Sequence, residues 1–109
     1  MKIEIKSLYD LEYGHIILPS ELIANAKLPN YESVKFSSIP SGLNVECICF
    51  LEDNSRMSFN YYFDKDDRLM KLIANDGTYN EVLFDREVEI KKLRNKIRIE
   101  QQHKLNLKP

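Results

Sequence analysis

Apolar and polar residues alternate with a period of two along much of this chain, and breaker clusters cut the alternation into short pieces. Lys2–Lys6 reads as a first strand with Ile3 and Ile5 on one face, and Gly14–Leu18 as a second, closed by Pro19 because proline supplies no ladder donor. Ser20–Leu28 reads as a short helix with Leu22, Ile23 and Ala26 on its apolar side, stopped by Pro29. Ser33–Phe36 returns to extended structure. After it, Ser38–Gly42 is the strongest breaker cluster and the place where an internal boundary would fall.

Beyond that cluster the pattern is a meander. Asn44–Leu51 and Met57–Phe63 are strands joined by a turn at Glu52–Ser55, and in the second Met57, Phe59, Tyr61 and Phe63 alternate with Ser58, Asn60 and Tyr62. Leu69–Asn75 and Thr78–Phe84 flank Asp76-Gly77, a dipeptide that favours the positive φ angles of a tight hairpin. A final helix is expected over Arg86–His103, with Asp85 as N-cap, Glu87 and Glu89 in the first turn, and Ile90, Leu93 and Ile97 as a narrow apolar stripe. The fold class is therefore α+β: an N-terminal hairpin and short helix over residues 1–40, then an antiparallel meander with a C-terminal amphipathic helix over 41–109. The two segments can also form one continuous domain.

Composition bounds this picture. The 109 residues are 43% hydrophobic and 30% charged with only three glycines, the balance of a folded chain with short turns. A core this small benefits from self-association, so a homodimer is expected. The charged N-terminus has no signal-peptide apolar run, and no stretch approaches the roughly 20 apolar residues that cross a bilayer. A cytoplasmic protein without membrane contact is expected.

Net charge is −1, but residues 91–108 hold Lys91, Lys92, Arg94, Lys96, Arg98, Lys104 and Lys108 against Glu100 alone. That stretch carries +6 and the remainder −7. Lys91, Lys92, Arg94, Lys96 and Arg98, on the helix, are candidates for contact with nucleic acid or an acidic partner. Tyr61, Tyr62 and Tyr79 are candidates for a protein interface, where tyrosine is favoured.

The chemistry of catalysis is sparse. The only histidines are His15 and His103, neither beside a nucleophile in sequence. Asp64-Lys65-Asp66-Asp67-Arg68 gathers three carboxylates but lacks the glycine and distal glutamate of a calcium loop, so it reads as a solvated turn. Cys47 and Cys49, two apart on a strand, share a face and read as buried apolar groups, without the further ligands of a zinc site. No enzyme, cofactor or metal is expected.

Gly14-His15-Ile16-Ile17-Leu18-Pro19-Ser20-Glu21-Leu22, followed by Leu28 and by Val34-Lys35-Phe36, resembles the swapped-hairpin module of the AbrB/MazE/SpoVT family. Asp10 and Glu12 stand where that family has acidic residues before the glycine. The resemblance covers residues 1–40 and implies two interleaved chains forming a DNA-binding transcription regulator or antitoxin, with His15 near the phosphates. The chain departs from the pattern in having His15 in place of arginine, Ile23 and Ala24 in place of basic residues, and Lys27 in place of a helix-ending glycine. Losing those arginines removes phosphate contacts. The alternative is a protein-interaction module without DNA binding: an immunity, inhibitor or adaptor protein, including one of phage origin.

Overall fold

A computed structural model of the chain describes residues 2–106, with side chains described from Ser7 to His103. The order is helix α1 (Lys2–Tyr13), a 3-10 helix (Pro19–Lys27), strands β1 (Tyr31–Ile39), β2 (Gly42–Phe50), β3 (Arg56–Asp64), β4 (Leu69–Asn75) and β5 (Asn80–Asp85), and helix α2 (Arg86–Asn106). The five strands form one antiparallel meander in sequence order. This is an α+β fold.

The first strand expected, Lys2–Lys6, is instead part of α1. The expected faces of Ile3 and Ile5 lie outside the described side chains. Alternation over five residues is too short to distinguish strand from helix, and the run continues to Tyr13 without a breaker. Its described part has helical periodicity, with Leu8, Leu11 and Glu12 half-buried and Tyr9, Asp10 and Tyr13 exposed. Gly14 ends the helix, its N–H closing on the Asp10 carbonyl at 2.7 Å. A Cβ there would lie 2.6 Å from that same oxygen, so the close approach requires glycine.

Gly14–Leu18 is not a strand either. Ile16 has φ 72°, a left-handed conformation that β-branched residues rarely adopt, and this breaks the extended run. The His15 carbonyl leaves the segment to accept from the Leu69 N–H at the start of β4, at 3.2 Å. The short helix does form where expected. Pro19 opens it, the Leu18 N–H donates to Glu21 Oε2 at 3.1 Å, and Leu22 plugs the core. Ile23, expected on the apolar side, is exposed.

The breaker cluster at 38–42 is the β1–β2 turn, with Ile39 paired to Gly42, so a single sheet runs across it. At the β4–β5 turn Gly77 takes φ 102°, while Asp76 Oδ1 accepts from the N–H groups of Thr78 and Tyr79, both at 2.9 Å. Register then assigns the faces, since residues directly opposite share one. Val45 pairs with Tyr61 and Phe36, Cys47 with Phe59 and Val34, and Leu43 with Phe63. This inner face holds the core of Leu22, Val45, Cys47, Phe63 and Leu69, with Phe84 and Ile17 packed against it.

Asp85 caps α2 as expected, its Oδ1 accepting from the Glu87 and Val88 N–H groups at 3.1 and 3.3 Å. Of the expected stripe Ile90, Leu93 and Ile97, Leu93 borders a groove with Leu11 of α1 and Ile97 is buried. α1 packs on α2 rather than on the sheet, so the two helices form an arm. The 21 residues of α2 rise about 1.5 Å each, roughly 31 Å in all. Accordingly the molecule measures 61 × 32 × 22 Å, with a radius of gyration of 17.8 Å. A compact chain of this length would have about 13 Å.

Candidate protein-docking face

One sheet face is covered by the 3-10 helix and its flanks; the other is open. Across the strands the open face reads Ser37, Asn44, Tyr62, Lys71, Asp85 in one row and Lys35, Glu46, Asn60, Ile73, Val82 in the next. α2 meets the sheet at β4 and β5 as it leaves, where its first residue, Arg86, bonds the Leu69 carbonyl. A shallow depression of about 340 Å³ on the open face is lined by strand residues alone: Tyr62, Met70, Lys71 and Ile73. Val82, at the outer strand, is 56% exposed.

Charges on and around this face are already matched. Lys71 pairs with Asp85 at 3.6 Å, Arg56 with Glu32 at 2.8 Å, and Lys35 stands directly opposite Glu46 in the ladder. Between them lies a polar but uncharged ladder. Asn44 Nδ2 donates to Asn60 Oδ1 at 3.2 Å, and Asn60 Nδ2 to Ser58 Oγ at 3.3 Å. Tyr62, Ile73 and the amides thus share the face with Lys71 and Glu46, whose charges are balanced by Asp85 and Lys35.

The three tyrosines expected to share an interface do not meet. Tyr61 points inward and packs against the core, where burial, then the neighbouring cysteines and Tyr31, push its hydroxyl pKa up. Tyr62 lies on the open face, and Tyr79 is exposed in the β4–β5 turn. Period two separates Tyr61 from Tyr62 in any strand, so the sequence carried this signal. The value of Ile73 and Val82 did not show in sequence, because it depends on which face the helices leave bare.

The cations of α2 also divide. Lys91, Arg94 and Arg98, with Asn95, line a groove of about 240 Å³ on one flank of the helix. Lys92 and Lys96 border a second groove of about 200 Å³ with Leu11, Glu89 and Leu93. Arg94 is ion-paired with Glu12, and Lys92 with Glu89 at 3.7 Å. The side chain of Lys104 and all of Lys108 lie outside the described residues. His15 lines neither groove; its Nε2 lies 3.0 Å from the Asp66 carbonyl in the acidic β3–β4 turn. There Asp64 is pushed up by burial, but the N–H groups of Arg68 and Asp66 and the Arg68 guanidinium outweigh it and hold the carboxyl below its usual range.

A cluster the sequence did not signal joins arm to sheet. Arg86 is 2% exposed and donates to the Leu69 carbonyl at 2.7 Å, to the Leu11 carbonyl, and to the His15 carbonyl at 3.4 Å. Arg68 donates to the Glu12 carbonyl at 2.8 Å. Two guanidiniums thus serve the carbonyl end of α1, where the helix dipole is negative. Burial, then the nearby Arg68, pushes the Arg86 pKa down, with Asp64 opposing.

Cys47 and Cys49 are buried free thiols, and burial pushes Cys47 up to about 11. Among the described residues no group of three or more His, Cys, Asp or Glu side chains is placed to hold a metal ion. No described helix is long and apolar enough to cross a membrane. No family model, curated protein or solved structure matches the chain.

Proposed function

We propose that the chain is a non-catalytic protein-interaction module that docks through its open sheet face, in the manner of an immunity, inhibitor or adaptor protein. The observation that carries this reading is the set Tyr62, Met70, Ile73 and Val82, left without a covering layer and bordered by ion pairs that are already satisfied. Such an arrangement favours a partner that excludes water from a net-neutral surface rather than one drawn in by charge. The test is lysine cross-linking in an extract of the native cells, with the adducts mapped on this chain. Cross-links to a partner protein are expected on Lys35 and Lys71, both on the open face. Partner cross-links confined to Lys91, Lys92 and Lys96 would move the site to the arm.

A second reading is contact with DNA, as the swapped-hairpin resemblance implies. It is favoured by Lys91, Arg94 and Arg98 sharing one flank of α2. Against it, Arg94 is engaged with Glu12, and the His15 ring lies against an acidic turn that would repel phosphate. Affinity for mixed-sequence DNA against salt decides it: a salt slope that falls by about one unit for each cation removed would support DNA contact.

A further inference from the structure

We infer that the occupant of the open face is the same face of a second copy of this chain, the two sheets packing into a sandwich. This rests on the docking reading above and names the partner. Two observations point to a second copy. The first is charge. Lys71 with Asp85, Arg56 with Glu32, and Lys35 opposite Glu46 leave the face with equal numbers of cations and carboxylates. A charged partner gains nothing there, whereas an equally neutral face does, and the nearest neutral face of matching outline is the chain's own. The central Asn44, Asn60 and Ser58 side chains each carry both donor and acceptor capacity, so copies of the row can satisfy one another.

The second observation is area. Five strands about 4.8 Å apart, rising about 3.3 Å per residue, give a face of roughly 24 by 24 Å. Two such faces bury about 1,100 Å² in plan, and side-chain relief adds to it, which clears the roughly 1,000 Å² a specific interface needs. Sheets packed this way lie about 10 Å apart with their strands within about 30°. The helical arms remain outside the sandwich, so α2 takes no part in this interface.

The experiment is light scattering on the purified chain from micromolar to sub-millimolar concentration, with circular dichroism as the folding control. Wild type is expected at twice the 12.9 kDa chain mass. Ile73→Lys and Tyr62→Lys should each raise the dimer Kd by at least about tenfold, as loss of a central contact does. Val82→Lys, at a site already more than half exposed, should fold normally and weaken the dimer in the same direction, which keeps the test decisive if a central variant misfolds. Lys91→Gln with Lys96→Gln should leave the dimer unchanged. A wild-type monomer across the range, or a dimer indifferent to the open-face variants, overturns the inference. A monomer that still cross-links a different protein through Lys35 and Lys71 overturns the second copy alone and leaves the docking face standing. A monomer whose partner cross-links fall only on α2 removes both.

Discussion

Replacing Arg86 with methionine keeps most of the apolar stem and deletes every bond that joins the arm to the sheet through this residue. Two of its contacts are hydrogen bonds to the Leu69 and Leu11 carbonyls, and the third, to His15 at 3.4 Å, is marginal. Hydrogen bonds to a charged donor are worth about 1.5–3 kcal/mol each, so the two good ones contribute about 3–6 kcal/mol before any offset. The variant no longer buries a cation, whose desolvation costs several kcal/mol, and that relief returns part of the loss. A net destabilisation of about 2–3 kcal/mol follows. At about 4–8 °C per kcal/mol for a domain near this size, Tm should drop by roughly 10–20 °C. The assay is urea and thermal unfolding together with amide hydrogen exchange. Exchange should rise first in residues 8–14, because the carbonyl end of α1 loses its main anchor while β2 and β3 keep theirs. Arg86→Lys should recover little, since one ammonium cannot fork to carbonyls on two elements. Unchanged Tm with unchanged protection in α1 would refute the reasoning.

Ile97→Ala should cost about 2–4 kcal/mol in urea titrations, because Ile97 is the buried end of the α2 stripe, whereas Ile99→Ala, at a 55% exposed site, should stay within about 0.5 kcal/mol. Equal effects would mean that the arm does not pack as described. Alkaline stability should depend on Cys47. Its thiol stays neutral in the fold up to about 11 but ionises near 8.5 when unfolded, so the stabilisation is complete below about 8.5 and is lost as pH rises toward 11. Urea midpoints of Cys47→Ala should fall less steeply between those pH values than wild type; parallel slopes would contradict this. Wild type should show no salt-dependent binding to mixed DNA at low ionic strength. Changing Lys91, Lys92, Arg94, Lys96 and Arg98 to glutamine should therefore alter nothing in that assay, while binding that weakens in the variant would restore the DNA reading.

The parts of the fold legible in the sequence are those whose signal is local. β4 is Leu69–Asn75 as the apolar run and its flanking turns indicate, and the Asp85 cap forms as expected. The turn at Asp76-Gly77, however, spans residues 76–79 with positive φ at Gly77 but not at Asp76, so β5 starts at Asn80 rather than Thr78. Lys2–Lys6 misleads because five residues are too few to establish a period, and the helix they belong to packs on α2, a partner far away in the chain. Gly14–Leu18 misleads because its bonding is to Leu69 and Arg86 rather than to a neighbouring strand. The candidate site was half legible. Tyr62 stands out in the sequence as an aromatic on the polar face of its strand, whereas Tyr61 beside it belongs by period two to the opposite face. Arg86 gave no sign at all, since an arginine at the start of a helix looks like a solvated one until three carbonyls close around it.

Hydroxyl-radical footprinting across a protein concentration series tests the docking face most directly, because tyrosine and methionine report their own exposure. Tyr62 and Met70 line the depression on the open face, while Tyr79 in the β4–β5 turn is 68% exposed and serves as the internal reference. As concentration rises, modification of Tyr62 and Met70 should fall several-fold while that of Tyr79 stays constant. Constant modification of all three residues while light scattering reports a dimer would contradict the account and place the interface elsewhere on the molecule.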